Sequence, residues 1–259
     1  MERRNFIQKS VLATTVLTAT GLSTLQAQNL QQSKKQLYEW RVYTMRWSQA
    51  PLDNFLSKAL IPVLNRMGVA NVGAFGEMSK SEPAKLYLLI PYRSFEDFSR
   101  VTAALKTDKE FIEASTEYNQ IPVEQAVYAR YDSSLMVAFD GLPQMIIPES
   151  GPRMFELRTY EGYSEDAVAR KIKMFNNEEF TIFNRVKLNP VFFGEVIAGP
   201  NLPALTYMLT FKNMEERDRA WQAFGTDPDW QRVSKLPEYA NTVSRIFKTF
   251  LEPLPYSQV

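Results

Sequence analysis

The sequence predicts an α+β fold in which two tandem ferredoxin-like βαββαβ domains pair their sheets into one α+β barrel. Two observations support this prediction. The chain of 259 residues matches itself at offsets of 117 to 120 residues, and the matching segments keep their order. Each copy also alternates strand-like and helix-like segments in the same sequence. Together these features indicate a duplicated domain.

Four pairs of segments define the duplication, and they set the boundaries that we predict. The pairs are YEWRVY at 38–43 with FELRTY at 155–160, VGAFGEM at 72–78 with PVFFGEV at 190–196, LYLLIPYRSFED at 86–97 with TYMLTFKNMEER at 206–217, and Thr107-Asp108 with Thr226-Asp227. The predicted organisation is a signal peptide at 1–27, a tether at 28–36, a first domain at 37–143, a linker at 144–153 and a second domain at 154–259.

The individual elements follow from local patterns. YEWRVY alternates as a strand does, and apolar residues from Leu52 to Met67 then recur at helical spacing, with Pro62 predicting a kink or a break. The matching helix of the second domain begins at Ser164, a good N-cap.

The later elements also carry start signals. Ser94 with Asp97 and Asn213 with Glu216 have capping-box spacing, and Asp227-Pro228 predicts another helix start. The runs Leu135–Phe139 and Arg245–Leu251 predict the strands that close the two domains.

The candidate site consists of charged and phenolic residues at alternating strand positions. A ferredoxin-like sheet leaves one face bare, and pairing two bare faces would place these side chains in a barrel cavity. There an arginine would bind an anionic group, a buried glutamate would act as base, and a tyrosine would donate to an oxyanion. The candidates are Glu39, Arg41, Tyr43, Glu77, Tyr87, Glu156, Arg158, Tyr160, Glu195 and Tyr207.

A structural interpretation of the same residues stands beside the functional one. Arginine and glutamate on adjacent positions also pair to satisfy each other's buried charge, without any ligand. Three further features favour structural roles. We interpret Trp221, Trp230 and Phe224 as core packing, and the charged run 215–219 as a solvated helix face. Glu178 and Glu179 are adjacent on a helix, so their side chains point apart and do not suit a metal site.

The composition excludes several classes of chemistry. The chain contains no histidine and no cysteine, which removes Ser-His-Asp catalysis, thiolate chemistry and imidazole or thiolate metal sites. A formal net charge of +1 argues against a nucleic-acid partner. We therefore expect no resident metal or cofactor, and the candidate partners are a small molecule in the barrel and a second copy of the chain.

The N-terminus predicts export. Arg3, Arg4 and Lys9 precede a mild apolar stretch from Val11 to Leu25, and Ala27 marks a plausible cleavage point. Adjacent arginines followed by Phe6 resemble a twin-arginine signal, although an ordinary secretory signal and an uncleaved anchor are alternatives. The resemblance implies a bacterial protein that reaches the periplasm or another extracytoplasmic space and meets the membrane only during export.

The strand motifs and the tail pattern PVFFGEVIAGPNLPALTYMLTF…WQAFGTDPDW resemble the NIPSNAP family. This resemblance covers 37–256 and is strongest in the second domain, because the first has FSRV…TDKEF where the tail pattern has its tryptophans. It implies the dimeric α/β-barrel class, which includes cofactor-free monooxygenases and haem-handling proteins but fixes no reaction.

Two hypotheses follow for the function. The first is a binding barrel for a small molecule or a partner. The alternative is a periplasmic enzyme, monooxygenase-like or isomerase-like, that works without a cofactor or with a borrowed one and uses Glu, Arg and Tyr in the cavity.

Overall fold

A computed structural model describes residues 35–79 and 81–259. The predicted signal peptide and most of the predicted tether lie outside the described residues. Eight strands and nine α-helices, together with two π-helical turns, make up the fold within these ranges.

The first half of the fold, as we call β1 to β4 with their helices, follows the predicted order. Its elements are β1 (Leu37–Met45), α1 (Ala50–Phe55), the first π turn (Leu56–Leu60), α2 (Ile61–Arg66), β2 (Gly73–Glu77), β3 (Lys85–Tyr92), α3 (Phe95–Leu105), α4 (Lys109–Ala114), α5 (Thr116–Asn119) and β4 (Tyr128–Ala138).

The second half repeats this order. Its elements are β5 (Met154–Glu161), α6 (Glu165–Met174), the second π turn (Phe175–Glu179), α7 (Phe180–Val186), β6 (Asn189–Ala198), β7 (Ala204–Phe211), α8 (Met214–Thr226), α9 (Pro228–Val233) and β8 (Arg245–Pro253).

All eight strands form one closed antiparallel barrel with the order β1-β3-β2-β8-β5-β7-β6-β4. Within each half the order is that of a ferredoxin-like sheet, with the first strand of the half between its third and fourth strands. Two seams join the halves: Glu77 on β2 pairs with Leu251 on β8, and Ala138 on β4 pairs with Gly194 on β6. The predicted fold class is confirmed.

The barrel wall separates two kinds of core. Alternate residues of the strands point inward and fill the interior, which suits an eight-stranded barrel because its lumen is only wide enough for side chains. The inward cluster includes Tyr38, Trp40, Phe75, Tyr87, Phe155 and Phe192. Most of the buried residues on the outward side of the strands pack beneath the helices, in one cluster for each half.

The predicted helix starts are confirmed. The Ser94 hydroxyl accepts a hydrogen bond from the Asp97 backbone nitrogen at 3.2 Å, and the Asn213 side chain accepts one from Glu216 at 2.9 Å. The Asp227 carboxylate caps α9 in the same way, through the backbone of Asp229 at 2.9 Å.

The irregularity predicted at Pro62 takes the form of the first π turn, which ends just before this proline. The second half has a π turn at the matching place, where Thr181 replaces the proline. Proline is therefore not required for this geometry, and both halves share it as a feature of the helix layer.

The seam between β4 and β6 depends on a glycine. An added Cβ at Gly194 would lie 2.7 Å from the Cβ of Met136 on β4. We expect Gly194→Ala to lower the free energy of unfolding by about 1–3 kcal/mol, because neither backbone can yield without breaking the seam. Chemical denaturation would measure this, with Gly225→Ala as control.

Gly225 is a matched control because it lies in α8 and an added Cβ would meet nothing within 4 Å. Alanine there should leave stability unchanged or raise it by up to about 1 kcal/mol. Equal stabilities for the two variants would contradict the close approach at the seam.

Candidate functional site

Two of the candidate residues face the barrel interior, as predicted. Glu77 and Tyr87 lie on adjacent strands, and the Tyr87 hydroxyl donates a hydrogen bond of 2.5 Å to Glu77 Oε1. Burial, followed by this contact with Glu77, raises the pKa of Tyr87 well above its ordinary value. The pair lies against the packed aromatic interior and has no matching partner in the second half.

The predicted inward placement is wrong for Glu39, Arg41 and Tyr43. These side chains point outward, beneath the helices of the first half, where Tyr43 belongs to the apolar cluster. The interior instead takes the aromatic side of the same strand. The physical reason is that a narrow, packed interior accommodates rings better than uncompensated charges.

Glu39 is fully satisfied in this outward position. Arg41 donates from Nε at 2.6 Å and from Nη2 at 3.0 Å, and the hydroxyls of Tyr92 and Ser133 donate at 3.1 and 3.0 Å. Here the structural interpretation holds, because every lone-pair direction of the carboxylate is used within the protein.

The corresponding residues of the second half, Glu156, Arg158 and Tyr160, also point outward, so the inward prediction is wrong for them too. Glu156 accepts from Arg158 Nη1 at 2.9 Å, Arg217 Nε and Nη2 at 2.8 and 3.0 Å, and Trp221 Nε1 at 2.7 Å. Burial acts to raise the pKa of Glu156, but these donors and charges hold it below its ordinary value.

The prediction of a solvated helix face at 215–219 is therefore wrong for Arg217. Its side chain is only 16% exposed and it contacts Glu156 on the sheet. The neighbours Glu215 and Arg219 do lie in solvent and pair with each other at 2.6 Å.

The strand register corrects the sequence alignment of the two halves. Arg41 lies opposite Leu88, and Arg158 lies opposite Tyr207. The residue of the first half that corresponds to Tyr207 is therefore Leu88 and not Tyr87. Tyr207 points outward beneath the helices, whereas Tyr87 points into the barrel. Since side chains alternate along a strand, a one-residue slip reverses the face.

A one-residue slip in the opposite direction misplaces Glu195. In the register of the second strands, Glu77 corresponds to Val196, which faces the interior. Glu195, one residue earlier, is exposed on the outer surface in a shallow depression beside Glu165. It lies outside both the barrel interior and the cavity described next.

The candidate site is a cavity of about 430 Å³ between the outer face of the second-half sheet and its helices. Strands β5 and β7 supply its floor, and α6, the second π turn, α8 and α9 supply its walls. The lining residues are Arg158, Tyr160, Lys171, Glu179, Tyr207, Trp221, Phe224, Gly225, Trp230, Val243 and Ile246.

A buried ion pair forms one wall of this cavity. Lys171 on α6 is 6% exposed and Glu179, at the end of the π turn, is 2% exposed. The Lys171 ammonium donates to Glu179 Oε1 and to Met174 Sδ, and it lies 4.5 Å from the ring centre of Phe175. Burial raises the pKa of Glu179, although the Lys171 charge opposes this rise.

Arg158 forms the opposite polar element. Its guanidinium lies 4.3 Å from the ring centre of Trp221, and Nη1 is bound to Glu156. Its Nε is buried and has no hydrogen-bond partner within the part of the chain that the structure describes. Such an unpaired buried donor is unfavourable in a protein interior.

Two phenols complete the floor. The hydroxyl oxygens of Tyr160 and Tyr207 lie 2.9 Å apart, so one of their two protons forms the hydrogen bond between them and the other is not used in it. Burial, followed by the proximity of Tyr160, raises the pKa of Tyr207 well above its ordinary value. Both phenols are therefore neutral donors at physiological pH.

The first half has no such set of polar groups at the matching positions. The two π turns start 119 residues apart, as do the N-caps of α3 and α8. This offset relates the cavity residues Lys171, Glu179, Tyr207 and Trp221 to Leu52, Leu60, Leu88 and Thr102. The three leucines are at most 3% exposed and belong to the apolar cluster of the first half.

Sequence reasoning missed Lys171 and Glu179, and it assigned Trp221 and Trp230 to core packing. The signal was present: aligning the two copies at an offset of 119 shows a lysine and a glutamate where the other copy has leucines. Glu179 was considered only as half of a metal site. Among the described residues, no cluster of acidic side chains suits a metal ion.

A larger groove, of about 900 Å³, runs along residues 146–153. Ile146 and Ile147 in its lining are almost half exposed, and the Glu216 carboxylate accepts a hydrogen bond from the backbone nitrogen of Lys212. The smaller cavity is the better candidate because its charged groups are buried and converge.

Fold and site together define a duplicated, closed α+β barrel with one polar cavity beneath the helices of its second half. Residues 155–258 match the model of the NIPSNAP family. The resemblance predicted from the sequence is thus supported over the second half of the chain. A comparison with curated proteins finds no match.

Two of the similar solved structures support the fold. A candidate monooxygenase from Fusobacterium nucleatum subsp. nucleatum ATCC 25586 is 11% identical, with a TM-score of 0.56 over 85% of this chain and 93% of that chain. One from Lactobacillus acidophilus NCFM is also 11% identical, with a TM-score of 0.53 over 85% and 94% of the two chains. A NIPSNAP family protein from Agrobacterium tumefaciens str. C58 is 16% identical over 44% of this chain and 97% of its own, with a TM-score of 0.38.

Among the described residues, no helix combines the length and the apolar character needed to cross a bilayer.

The first half suggests a test of the buried pair. Lys171→Leu or Glu179→Leu alone should lower the free energy of unfolding by about 3–5 kcal/mol, because each leaves one buried charge unpaired. The double variant should be close to the parent in stability, since Leu52 and Leu60 already pack at the matching positions. Chemical denaturation measures all three variants.

Additive losses in the double variant would contradict a coupled pair. Glu178→Leu is the matched control, because Glu178 is the adjacent residue and lies 3.8 Å from the exposed Arg232. It should change stability by no more than about 0.5 kcal/mol.

Proposed function

We propose that this protein is an exported, NIPSNAP-type α+β barrel that binds a small, flat organic anion in the cavity of its second half. The observation that carries the proposal is the convergence of Arg158, Lys171 and Glu179 with tryptophan and tyrosine rings on one buried space. Its volume lies within the range of about 300–1,000 Å³ typical of small-molecule sites.

The charges of the lining favour an anion. Arg158 and Lys171 contribute two positive charges and Glu179 contributes one negative charge, which leaves an excess of one. Glu156 does not cancel this excess, because Arg217 on α8 pairs with it as well.

The rings of the lining favour a flat ligand. Trp221 and Trp230 stand on neighbouring helices with Phe224 between them, and the Phe224 and Trp230 ring centres are 4.4 Å apart. Aromatic faces stack on planar, conjugated molecules. An aromatic or conjugated carboxylate combines this shape with a single negative charge.

A second candidate function is an enzyme that works in the same cavity without a resident cofactor. The observation that favours it is Glu179, a carboxylate whose pKa is raised by burial and which borders a ligand-sized space. The monooxygenase-like and isomerase-like alternatives both belong here. The similar solved structures bear on the fold alone.

Export is part of the proposal and rests on Arg3, Arg4 and Phe6 near the N-terminus. We expect residues 1–36 to carry a folded reporter across the inner membrane of a bacterium by the twin-arginine route. The double substitution Arg3→Lys and Arg4→Lys should keep the reporter in the cytoplasm. Unchanged export of that variant would favour an ordinary secretory signal.

A second copy of the chain remains a proposed partner as well. Native mass spectrometry of the exported protein reports subunit number and any copurified small molecule in one measurement.

Ligand binding has a sharp test at Gly225, which lines the cavity at an exposed position with open space around an added side chain. We expect 2-naphthoate to bind and its neutral amide to bind at least tenfold more weakly in calorimetry, because Arg158 recognises the carboxylate. Gly225→Leu should weaken naphthoate binding at least tenfold by filling the entrance.

Gly225→Ala is the matched control and should bind like the parent protein, since one methyl group leaves the entrance open. Equal affinity for the acid and the amide would contradict anion recognition. Full binding by Gly225→Leu would place the ligand elsewhere.

A further inference from the structure

One strand of the first half has a free edge whose charges match a second copy of the same edge. We propose that two copies of this chain associate through β4, in an antiparallel strand contact centred on Tyr131. This inference rests on the part of the proposed function that gives the chain a second copy as partner. It adds the surface and the register of the contact.

The first step of the argument concerns the free edge itself. β4 pairs with β1 from 128 to 137, but its other neighbour, β6, pairs only with 135–138. Among the described residues, the segment 129–133, which we call the β4 edge, therefore has no strand on its second side. The backbone groups of such an edge form a template for another strand.

The second step concerns which residues direct their backbone groups away from β1. The Ala138 nitrogen donates to the Gln36 carbonyl, and residues of an antiparallel pair bond to their neighbour at every second position. Because the register with β1 is unbroken from Val137 back to Arg130, the even-numbered residues bond to β1. Tyr131 therefore directs its N–H and C=O to the free side, where a second strand would pair.

The β4 edge is exposed and already ordered. Residues 130–133 are all exposed, Tyr131 to 44%. The centre of the Tyr131 ring lies 5.0 Å from that of Tyr43 and 5.9 Å from that of Tyr128, so neighbouring rings hold it in place. A strand that is ordered before association loses less conformational entropy when it binds.

The third step concerns the charges beside Tyr131. Arg130 and Asp132 flank it and are both exposed. Arg130 Nη1 donates to the backbone carbonyl of Ala129 at 2.7 Å, a weak use of a guanidinium that a carboxylate would replace with a stronger bond. A second strand that brings a carboxylate opposite Arg130 would therefore gain from it.

The sequence of the β4 edge favours one register. In a two-fold antiparallel contact centred on Tyr131, Arg130 of each copy lies opposite Asp132 of the other, and the two Tyr131 residues exchange backbone hydrogen bonds. A centre at Arg130 or at Asp132 instead places two like charges opposite each other. Since opposite charges stabilise directly opposed positions and like charges destabilise them, the contact centres on Tyr131.

The matching edge of the second half does not have this complementarity. β8 pairs with β5 from 245 to 251, whereas β2 reaches only 251–253, so 245–249 also has one free side among the described residues. Its charged residues, Arg245 and Lys248, are both positive, and no register with a copy of itself pairs opposite charges. One self-complementary edge for each copy gives a closed two-fold dimer.

The size of the contact predicts a weak dimer. A register shift in the pairing with β1 places a β-bulge at Ala129, which keeps the regular edge short. Trp47 is 67% exposed and follows Arg46, whose backbone nitrogen donates to Val127 just before β4. This ring adds an aromatic side chain of the type that is enriched at interfaces, so we expect dimers that form and dissociate with concentration.

Sedimentation velocity of the full chain over a range of concentrations measures this dimer. Asp132→Arg and Arg130→Asp each turn two opposite-charge pairs into two like-charge pairs, because the two-fold axis repeats every contact. Each should raise the dissociation constant at least tenfold. The double variant Arg130→Asp with Asp132→Arg restores both pairs in the reverse sense and should dimerise like the parent.

Lys248→Glu is the matched control, because it reverses an exposed charge on the free edge of β8. It should leave the dissociation constant unchanged. Weakening by Lys248→Glu would overturn the proposal by placing β8 in the interface. Weakening by the single β4 variants without rescue in the double variant would overturn the two-fold register.

The outcomes separate this inference from the proposed function. A dimer that survives both single charge reversals would overturn the β4 contact and keep the second copy as a partner. A chain that stays monomeric at every concentration would overturn both. The cavity proposal is tested independently by the binding of 2-naphthoate, which no variant of the β4 edge should change.

Discussion

Closure of the barrel is the constraint on which the rest of this structure depends. When eight strands form a complete ring, every side chain points either into a narrow interior or out toward the helices. The interior takes large rings and aliphatic side chains from both halves, which packs the two sheets together. Polar strand residues are thereby displaced to the helix-covered side, where their charges need partners.

The two halves meet that need in different ways. Around Glu39, the hydrogen bonds close completely within the protein and the helix layer above is apolar. Around Glu156, the arginine on the strand shares the carboxylate with Arg217 from α8. One carboxylate therefore faces two guanidinium groups, and the positive charge of Arg158 is not fully offset by Glu156.

Much of the fold could be predicted because its signals are local. The helix caps at Ser94 and Asn213 depend on residues three positions apart, and repeated segments give the order of the strands. Which side of β1 points into the barrel could not be predicted in this way. Both sides of that strand are buried, one by the closed interior and one by helices, so polarity does not tell which is which.

The candidate site was harder to predict for a related reason. Motif matching aligned Glu77 with Glu195 and Tyr87 with Tyr207, which is one residue away from the strand register in each case. Along a strand that error exchanges inside for outside. Lys171 and Glu179 become visible only by comparing helix positions between the copies, since neither residue belongs to a motif.

A site in the helix layer has a mechanical advantage over one in the barrel lumen. Entry to the lumen would require strands to part, and each strand is held by two antiparallel neighbours. The cavity instead lies in the helix layer, where Gly225 near the end of α8 lines it at an exposed position. The shared aromatic interior stabilises the ring independently of this layer, so the second half tolerates buried charges that cost stability. The first half, which needs no opening, fills the same layer with leucine. Duplication thus lets one copy keep the fold while the other holds a buried ion pair beside a cavity.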